Sequence, residues 1–242
     1  MGSFARQIER YNIDQPCNIN LNCIICGHTD LNENFLKIYA TDIFNAGTLI
    51  RHKCQNCGLI FGDLRVLNLS EEERYMDHED TYSYFSEGDN IENILNCMSS
   101  INIFQNKKYR ILDYACGIGS MIPVLSKYGY NICGYDKYVT SQNVLNNIDN
   151  LIFDVIYCNN FIEHLINPLE EITNILKHLT NDGYLIFVSD CLDQYTVEFT
   201  HFHTYFYTGN SFNILCDKLG LNIIESKQIG GLKIKVLRKI TY

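Results

Sequence analysis

Two stretches of this 242-residue chain carry residue types at spacings that could do chemistry. The first is a pair of Cys-x-x-Cys-Gly knuckles, Cys23-Ile24-Ile25-Cys26-Gly27 and Cys54-Gln55-Asn56-Cys57-Gly58. Two residues between thiolates let one tight turn offer both sulfurs to one ion, and the glycine that follows relieves crowding where amides turn toward sulfur. Four thiolates make the tetrahedral donor set of a structural zinc site with no open position. Twenty-seven residues separate the knuckles, room for a hairpin. The competing readings are four buried cysteines or redox-active ones, and the redox reading needs a βαβ setting that does not surround these pairs. His52 is a further, weaker candidate ligand.

The second stretch is Arg110-Ile111-Leu112-Asp113-Tyr114-Ala115, an apolar strand, followed by the glycine turn Cys116-Gly117-Ile118-Gly119-Ser120. A helix from Met121 to Tyr128 and a second strand, Asn131 to Tyr135, close on Asp136. In such a βαβ unit the glycines let the backbone approach a ligand at the C-terminal edge of the sheet. Asp136 stands where a carboxylate can accept hydrogen bonds from both hydroxyls of a ribose, so the unit reads as a site for an adenosine-containing cofactor. Ile122 occupies the place of the third glycine of a dinucleotide fingerprint, which argues against that cofactor class.

The elements that must hold these residues follow from pattern and punctuation. Ser70 and Glu73 form a capping box at a helix start. Tyr75, Tyr82, Tyr84 and Phe85 follow in a polar stretch, either a lid facing a substrate or aromatic filler. Ile91, Ile94, Leu95, Met98 and Ile101 give residues 89–104 the stripe of one amphipathic helix. Phe153 to Asn160 reads as a strand, Pro168 opens a helix striped by Ile172, Ile175, Leu176 and Leu179, and Asn181-Asp182-Gly183 reads as a turn before the strand Tyr184 to Val188. A helix from Ser211 to Leu219 and a strand pair at 221–227 and 233–239 complete the chain. Lys233, Lys235, Arg238 and Lys239 on the terminal strand read as a solvated edge. The expected division is 1–68, 69–107 and 108–242.

Composition bounds the rest. With 46% hydrophobic residues and three prolines, the chain can bury a sizeable core. A net charge of -9 disfavours nucleic-acid partners. No apolar run approaches about 18 residues, which argues against a membrane span, and the N-terminus lacks the apolar core of a secretion signal. Cys116, Cys133, Cys158, Cys191 and Cys216 sit in apolar runs and read as buried thiols in a reducing compartment, the cytoplasm.

Asp113, the glycine turn and Asp136 resemble the first motif and following acidic position of class I S-adenosylmethionine-dependent methyltransferases. Phe153-Asp154-Val155-Ile156, Glu163-His164-Leu165 and Asn167-Pro168 resemble that family's later motifs in order. The resemblance covers residues 108–240 and implies an α/β, Rossmann-like sheet. It assigns Asp113, Ala115, Gly117, Gly119, Asp136 and Asn159 to S-adenosylmethionine, with Ala115 standing where the family usually has glycine. Only 17 residues separate Asp136 from Asp154, so the third strand is expected to be missing or shortened, and Asp149 is a weak candidate for the adenine. Methyl transfer needs the acceptor aligned and deprotonated. His164, His201 and His203 follow the fourth and fifth strands. His164 reads as base or as scaffold; His201 and His203 share a face directed to pocket or solvent. Together with the zinc module, the set is similar to sugar methyltransferases of deoxysugar and surface-glycan pathways, which implies acceptor roles for Tyr82, Tyr84, His164 and His203. Those relatives carry a further C-terminal domain, so ending at Tyr242 moves the expectation from C- toward O- or N-methylation. The expected partner is a small acceptor, a nucleotide-linked sugar, with a homodimer allowed. A protein or RNA methyltransferase docking through the zinc module, and a non-catalytic binding module, are the other readings.

Overall fold

The computed structural model describes residues 22–29, 35–43, 47–82, 91–195 and 200–240. In chain order the elements are β1 (Phe35–Thr41), β2 (Thr48–Cys54), β3 (Ile60–Gly62), α1 (Leu64–Leu67), α2 (Glu71–Tyr82), α3 (Ile91–Ser100), β4 (Arg110–Tyr114), α4 (Met121–Lys127), β5 (Asn131–Tyr135), β6 (Val144–Leu145), β7 (Phe153–Asn159), α5 (Pro168–Leu176), β8 (Leu179–Ser189), β9 (Tyr205–Phe206), α6 (Ser211–Leu219), β10 (Leu221–Ile229) and β11 (Leu232–Lys239). They fall into two units that interleave along the chain. The first takes residues 1–86, 163–167 and 191–215; the second takes 87–162, 168–190 and 216–242.

The second unit is built on a seven-stranded sheet in the order β10-β11-β8-β7-β4-β5-β6. Strands β6, β5, β4, β7 and β8 run parallel to one another, while β11 runs antiparallel to β8 and β10. Parallel strands are covered on both faces, which is why β4 and β7 read as near-continuous apolar runs. Ile111, Leu112, Val155, Ile156 and Tyr157 are buried there. On one side α3 contributes Cys97 and Met98, and the 3-10 turn that follows contributes Phe104; these join Ile111, Leu125, Val155 and Ile186 in one core. The single helix expected over 89–104 is therefore an α-helix ending at Ser100 and a tighter turn.

The shortened third strand is β6, two residues long, pairing Val144 with Gly134 and Leu145 with Tyr135. Three sequence expectations change. Asn181-Asp182-Gly183 lies inside β8, which starts at Leu179 and takes up the extra residues as a register shift, Phe153 pairing with Leu179 and Val155 with Tyr184. β11 is an inner strand, so Lys233, Lys235, Arg238 and Lys239 do not form an edge. Lys235 is buried and donates to Ser226 Oγ (3.1 Å), Lys239 Nζ donates to the Leu179 carbonyl (2.7 Å), and Arg238 meets Asp182 (2.9 Å). Cys116 and Cys133 are half-buried; Cys158, Cys191 and Cys216 are buried.

The first unit carries an antiparallel sheet in the order β1-β2-β3-β9. The β1–β2 hairpin occupies the interval between the cysteine knuckles, pairing Phe35 with Cys54 at one end and Thr41 with Thr48 at the other. The capping box at the start of α2 is formed: Ser70 N and Oγ donate to Glu73 Oε2 (2.8 and 2.9 Å), and Glu73 N donates to Ser70 Oγ (3.2 Å). No helix among the described residues is long and apolar enough to cross a membrane.

Candidate functional site

In the second unit, β4 ends in a loop that stays in the left-handed backbone region at three of five positions: Ala115 (φ 62), Gly117 (φ 56) and Gly119 (φ 70). The amides of Ala115 and Cys116 both donate to the Tyr135 carbonyl (2.8 and 3.2 Å), tying the loop to the end of β5. Asp136 tightens the same junction, its Oδ2 accepting from Gly117 N (3.0 Å) and its Oδ1 from Tyr138 N (2.9 Å). A carboxylate offers about four lone-pair positions, so each oxygen keeps one for a hydroxyl. A Cβ built on Gly117 would meet nothing within 4 Å, so the loop faces open space at that residue. Gly119 is different: a Cβ there would lie 3.0 Å from Asn143 Cβ and 3.1 Å from Val144 Cγ2, so the residues entering β6 pack on the turn.

Asp113 is buried on β4, opposite Gly134 and Tyr157 in the neighbouring strands. Gly134, which the motif reading passed over, has its own reason. A Cβ there would lie 2.6 Å from Cys116 Sγ, so only glycine lets β5 pass under the loop. Burial, then Asp113 and Asp136, push the Cys116 thiol well up, which keeps it protonated. Tyr114 donates to Glu171 Oε1 (2.6 Å) and packs edge-on against Phe161. Asn159 ends β7 half-buried, opposite Val188. Asp149 is exposed in the turn after β6.

In the first unit the four cysteines converge. Cys23 and Cys57 Sγ are 3.5 Å apart, Cys26 and Cys54 Sγ 3.6 Å, and all four sulfurs lie within 4.8 Å of one another. A tetrahedral zinc with Zn–S of about 2.3 Å would space its sulfurs by about 3.8 Å. Gly27 and Gly58 close the knuckles with amide bonds to the Cys23 and Cys54 carbonyls (2.8 Å each) at positive φ. The hydrogen bond from the Cys57 thiol lowers Cys23, the direction that favours the thiolate form in which cysteine binds metal. His52 packs against Phe61 and is not among the converging donors.

The histidines of the first unit take different settings. His164 Nδ1 lies 3.2 Å from the Phe202 carbonyl. A carbonyl only accepts, so Nδ1 carries the proton and Nε2 keeps its lone pair. Burial, then His203, His78 and Arg74, hold His164 well below the usual imidazole range. Its ring meets those of His203 and His78 edge-on at 5.0 and 5.9 Å. His203 places Nδ1 3.6 Å from Cys191 Sγ. His201 is held on both ring nitrogens, Nδ1 by Asp42 (2.9 Å) and Nε2 by Asp77 (3.0 Å), with all three residues buried. Alternation thus leaves His203 beside His164 and gives His201 to a strut. Tyr82 ends α2, but its side chain, like all of Tyr84, lies outside the described residues.

Arg51, Asp42 and Asp77 had no sequence signal. Arg51 is fully buried on β2 and donates to the His203 and Thr200 carbonyls (2.7 Å each), with its guanidinium 4.5 Å over the Phe206 ring. It fixes the backbone that carries His201 and His203.

A family model described as a methyltransferase domain matches residues 76–226. Comparison with curated proteins gives no match. Among solved structures the fold is similar to the 1,6-didemethyltoxoflavin-N1-methyltransferase of Burkholderia thailandensis, with TM-score 0.56 and 13% identity over 79% of this chain and 96% of that one. It is also similar to LaPhzM (TM-score 0.52, 13% identity, 71% of this chain and 62% of that one). A third is CalO1, a methyltransferase in calicheamicin biosynthesis (TM-score 0.52, 11% identity, 70% and 61%). The chain spans about six tenths of the length of the last two, and at these identities the likeness is one of fold. The matched family model covers more than half of the chain and takes in the glycine loop and its flanking strands: this chain belongs to the methyltransferase-domain family of enzymes, on a Rossmann-like class I sheet.

Proposed function

We propose that the chain transfers the methyl group of S-adenosylmethionine to a small acceptor, a nucleotide-linked sugar or related glycan precursor. The observation that carries the reading is the joint between Asp136 and Gly117, a carboxylate that braces a glycine loop open at that glycine. Asp136 takes the ribose hydroxyls, and Asp113, Ala115, Gly117, Gly119 and Asn159 hold the methionine portion and the loop. Two of the structural neighbours support the donor, being known with S-adenosylhomocysteine bound; one of them also holds 1,6-didemethyltoxoflavin, which supports a small acceptor.

In this reading the acceptor oxygen, nitrogen or carbon attacks the methyl carbon, the carbon–sulfur bond breaks, and S-adenosylhomocysteine leaves. The acceptor's proton passes to a base. His164 has the tautomer for it, with Nδ1–H spent on the Phe202 carbonyl and the Nε2 lone pair kept. His203, Tyr82 and Tyr84 are assigned to binding the acceptor, and His201 to holding the loop. The quartet Cys23, Cys26, Cys54 and Cys57 would hold a zinc ion that pins the β1–β2 hairpin and does no chemistry. The sugar assignment rests on the pairing of that module with a methyltransferase sheet.

Calorimetry with S-adenosylhomocysteine tests the donor site. Wild-type protein binds it, and Asp136→Ala weakens binding by at least tenfold. Equal affinity in the two proteins removes Asp136 from the site and the reading with it.

A further inference from the structure

We infer that Glu163, Cys191 and His203 form a second metal-ion site in the first unit, distinct from the cysteine quartet, and that zinc is the ion their donors select. One carboxylate oxygen, one thiolate sulfur and one imidazole nitrogen lie within 4.8 Å of one another, and all three residues are buried, at 0%, 0% and 8% exposure. The Cys191 Sγ to His203 Nδ1 separation is 3.6 Å. A tetrahedral zinc with Zn–S of about 2.3 Å and Zn–N of about 2.0–2.1 Å sets sulfur and nitrogen about 3.5 Å apart. The third donor brings a carboxylate into the same sphere, which a Cys–His contact alone does not require.

The three chain segments that bring the donors are fixed to one another by two backbone bonds, and the His203 carbonyl is held besides by the Arg51 side chain. Thr204 N donates to the Glu163 carbonyl (2.9 Å), Tyr207 N to the Cys191 carbonyl (2.9 Å), and Arg51 to the His203 carbonyl (2.7 Å). The donor triangle is therefore set before any ion arrives, as a metal site requires of its supporting shell. Charge agrees: carboxylate, thiolate and neutral imidazole cancel a divalent cation, which satisfies the rule that buried charge is paired. Thiolate selects against magnesium and calcium, and a mixed nitrogen, oxygen and sulfur set suits zinc. Three protein donors leave one tetrahedral position for water or another oxygen ligand, so this site is of the open class, unlike the quartet.

The test counts ions on the intact protein by native mass spectrometry, after purification in zinc-containing buffer and dialysis against metal-free buffer. Wild type retains two zinc ions per chain. Cys191→Ser and Glu163→Gln each retain one, and Cys26→Ser retains the other one alone. Cobalt titration of the wild type gives two steps, an intense sulfur-to-metal band for four thiolates and a weaker one for a single thiolate. A wild-type count of one or none, or a count that Cys191→Ser and Glu163→Gln leave unchanged, overturns the proposal. The wild-type count decides even if a variant does not fold. Calorimetry with S-adenosylhomocysteine on the same samples reports the methyl-donor reading separately, so either can fail alone.

Discussion

The Asp42–His201–Asp77 strut gives the sharpest stability prediction. Burial by itself would lower His201, yet the two carboxylates raise it above its ordinary value, so the ring sits as an imidazolium between two anions. At 1% exposure for His201 and Asp42 and 3% for Asp77, all three groups are withdrawn from water, and the two carboxylates compensate the ring between them. Breaking a buried pair by removing one partner costs about 3–5 kcal/mol. Asp77→Ala therefore destabilises the loop around His201 by that order, and His201→Ala, which leaves two carboxylates facing each other, by at least as much. Asp77→Asn keeps an acceptor for Nε2–H and loses only the charge, about 1–2 kcal/mol. The assay is hydrogen exchange read on peptides spanning residues 200–207, where Thr204 N is bonded to the Glu163 carbonyl. At tenfold per about 1.4 kcal/mol, Asp77→Ala speeds exchange there by about a hundredfold to several thousandfold, and Asp77→Asn by about tenfold. Rates within twofold of wild type in both Asp77→Ala and His201→Ala would refute the strut.

Ala115 holds a left-handed backbone that costs an L-residue about 1–2 kcal/mol, and glycine returns about 0.5–1 of that through unfolded-state entropy. Ala115→Gly is thus stabilising by about 0.5–1 kcal/mol, seen as a raised thermal midpoint, whereas Ala115→Val lowers it. Gly134→Ala drives a methyl into Cys116 Sγ and costs about 1–3 kcal/mol by urea titration; adding Cys116→Gly recovers most of the loss, and an additive double variant would contradict the contact. Cys26→Ser opens the quartet, so exchange of the β1–β2 amides accelerates while that of β4 and β7 does not change.

The βαβ unit was legible because its signals are local. The strand, the glycines and the two acids lie within one βαβ unit, and their spacing alone brought Gly117 to Asp136. The cysteine quartet was legible for the same reason, since each knuckle is five residues long. Where the reading went astray, a partner lay far off in sequence. Asn181-Asp182-Gly183 carries turn residues, yet pairing of Leu179 with Phe153 draws them into β8. The cations of β11 looked like an edge because nothing local announces that β10 pairs outside it. Arg51 resembles any strand arginine until the Thr200 and His203 carbonyls, 149 and 152 positions away, are placed around it. His201 and His203 share a two-residue period, and only Asp42 and Asp77 separate their roles.

The interleaving of the two units sets an order of events on the ribosome. The chain enters the first unit, leaves it, returns for residues 163–167, leaves again, and returns for 191–215. At about 5–20 residues per second, the carbonyls that receive the Arg51 guanidinium emerge about seven to thirty seconds after Arg51 itself. During that interval the nascent hairpin has only its short-range contacts and its knuckles to hold it, and a charge destined for the interior stays in water. Fragments that stop short of residue 200 lack both acceptors, so a cut there removes the centre of a domain whose first residues are already made.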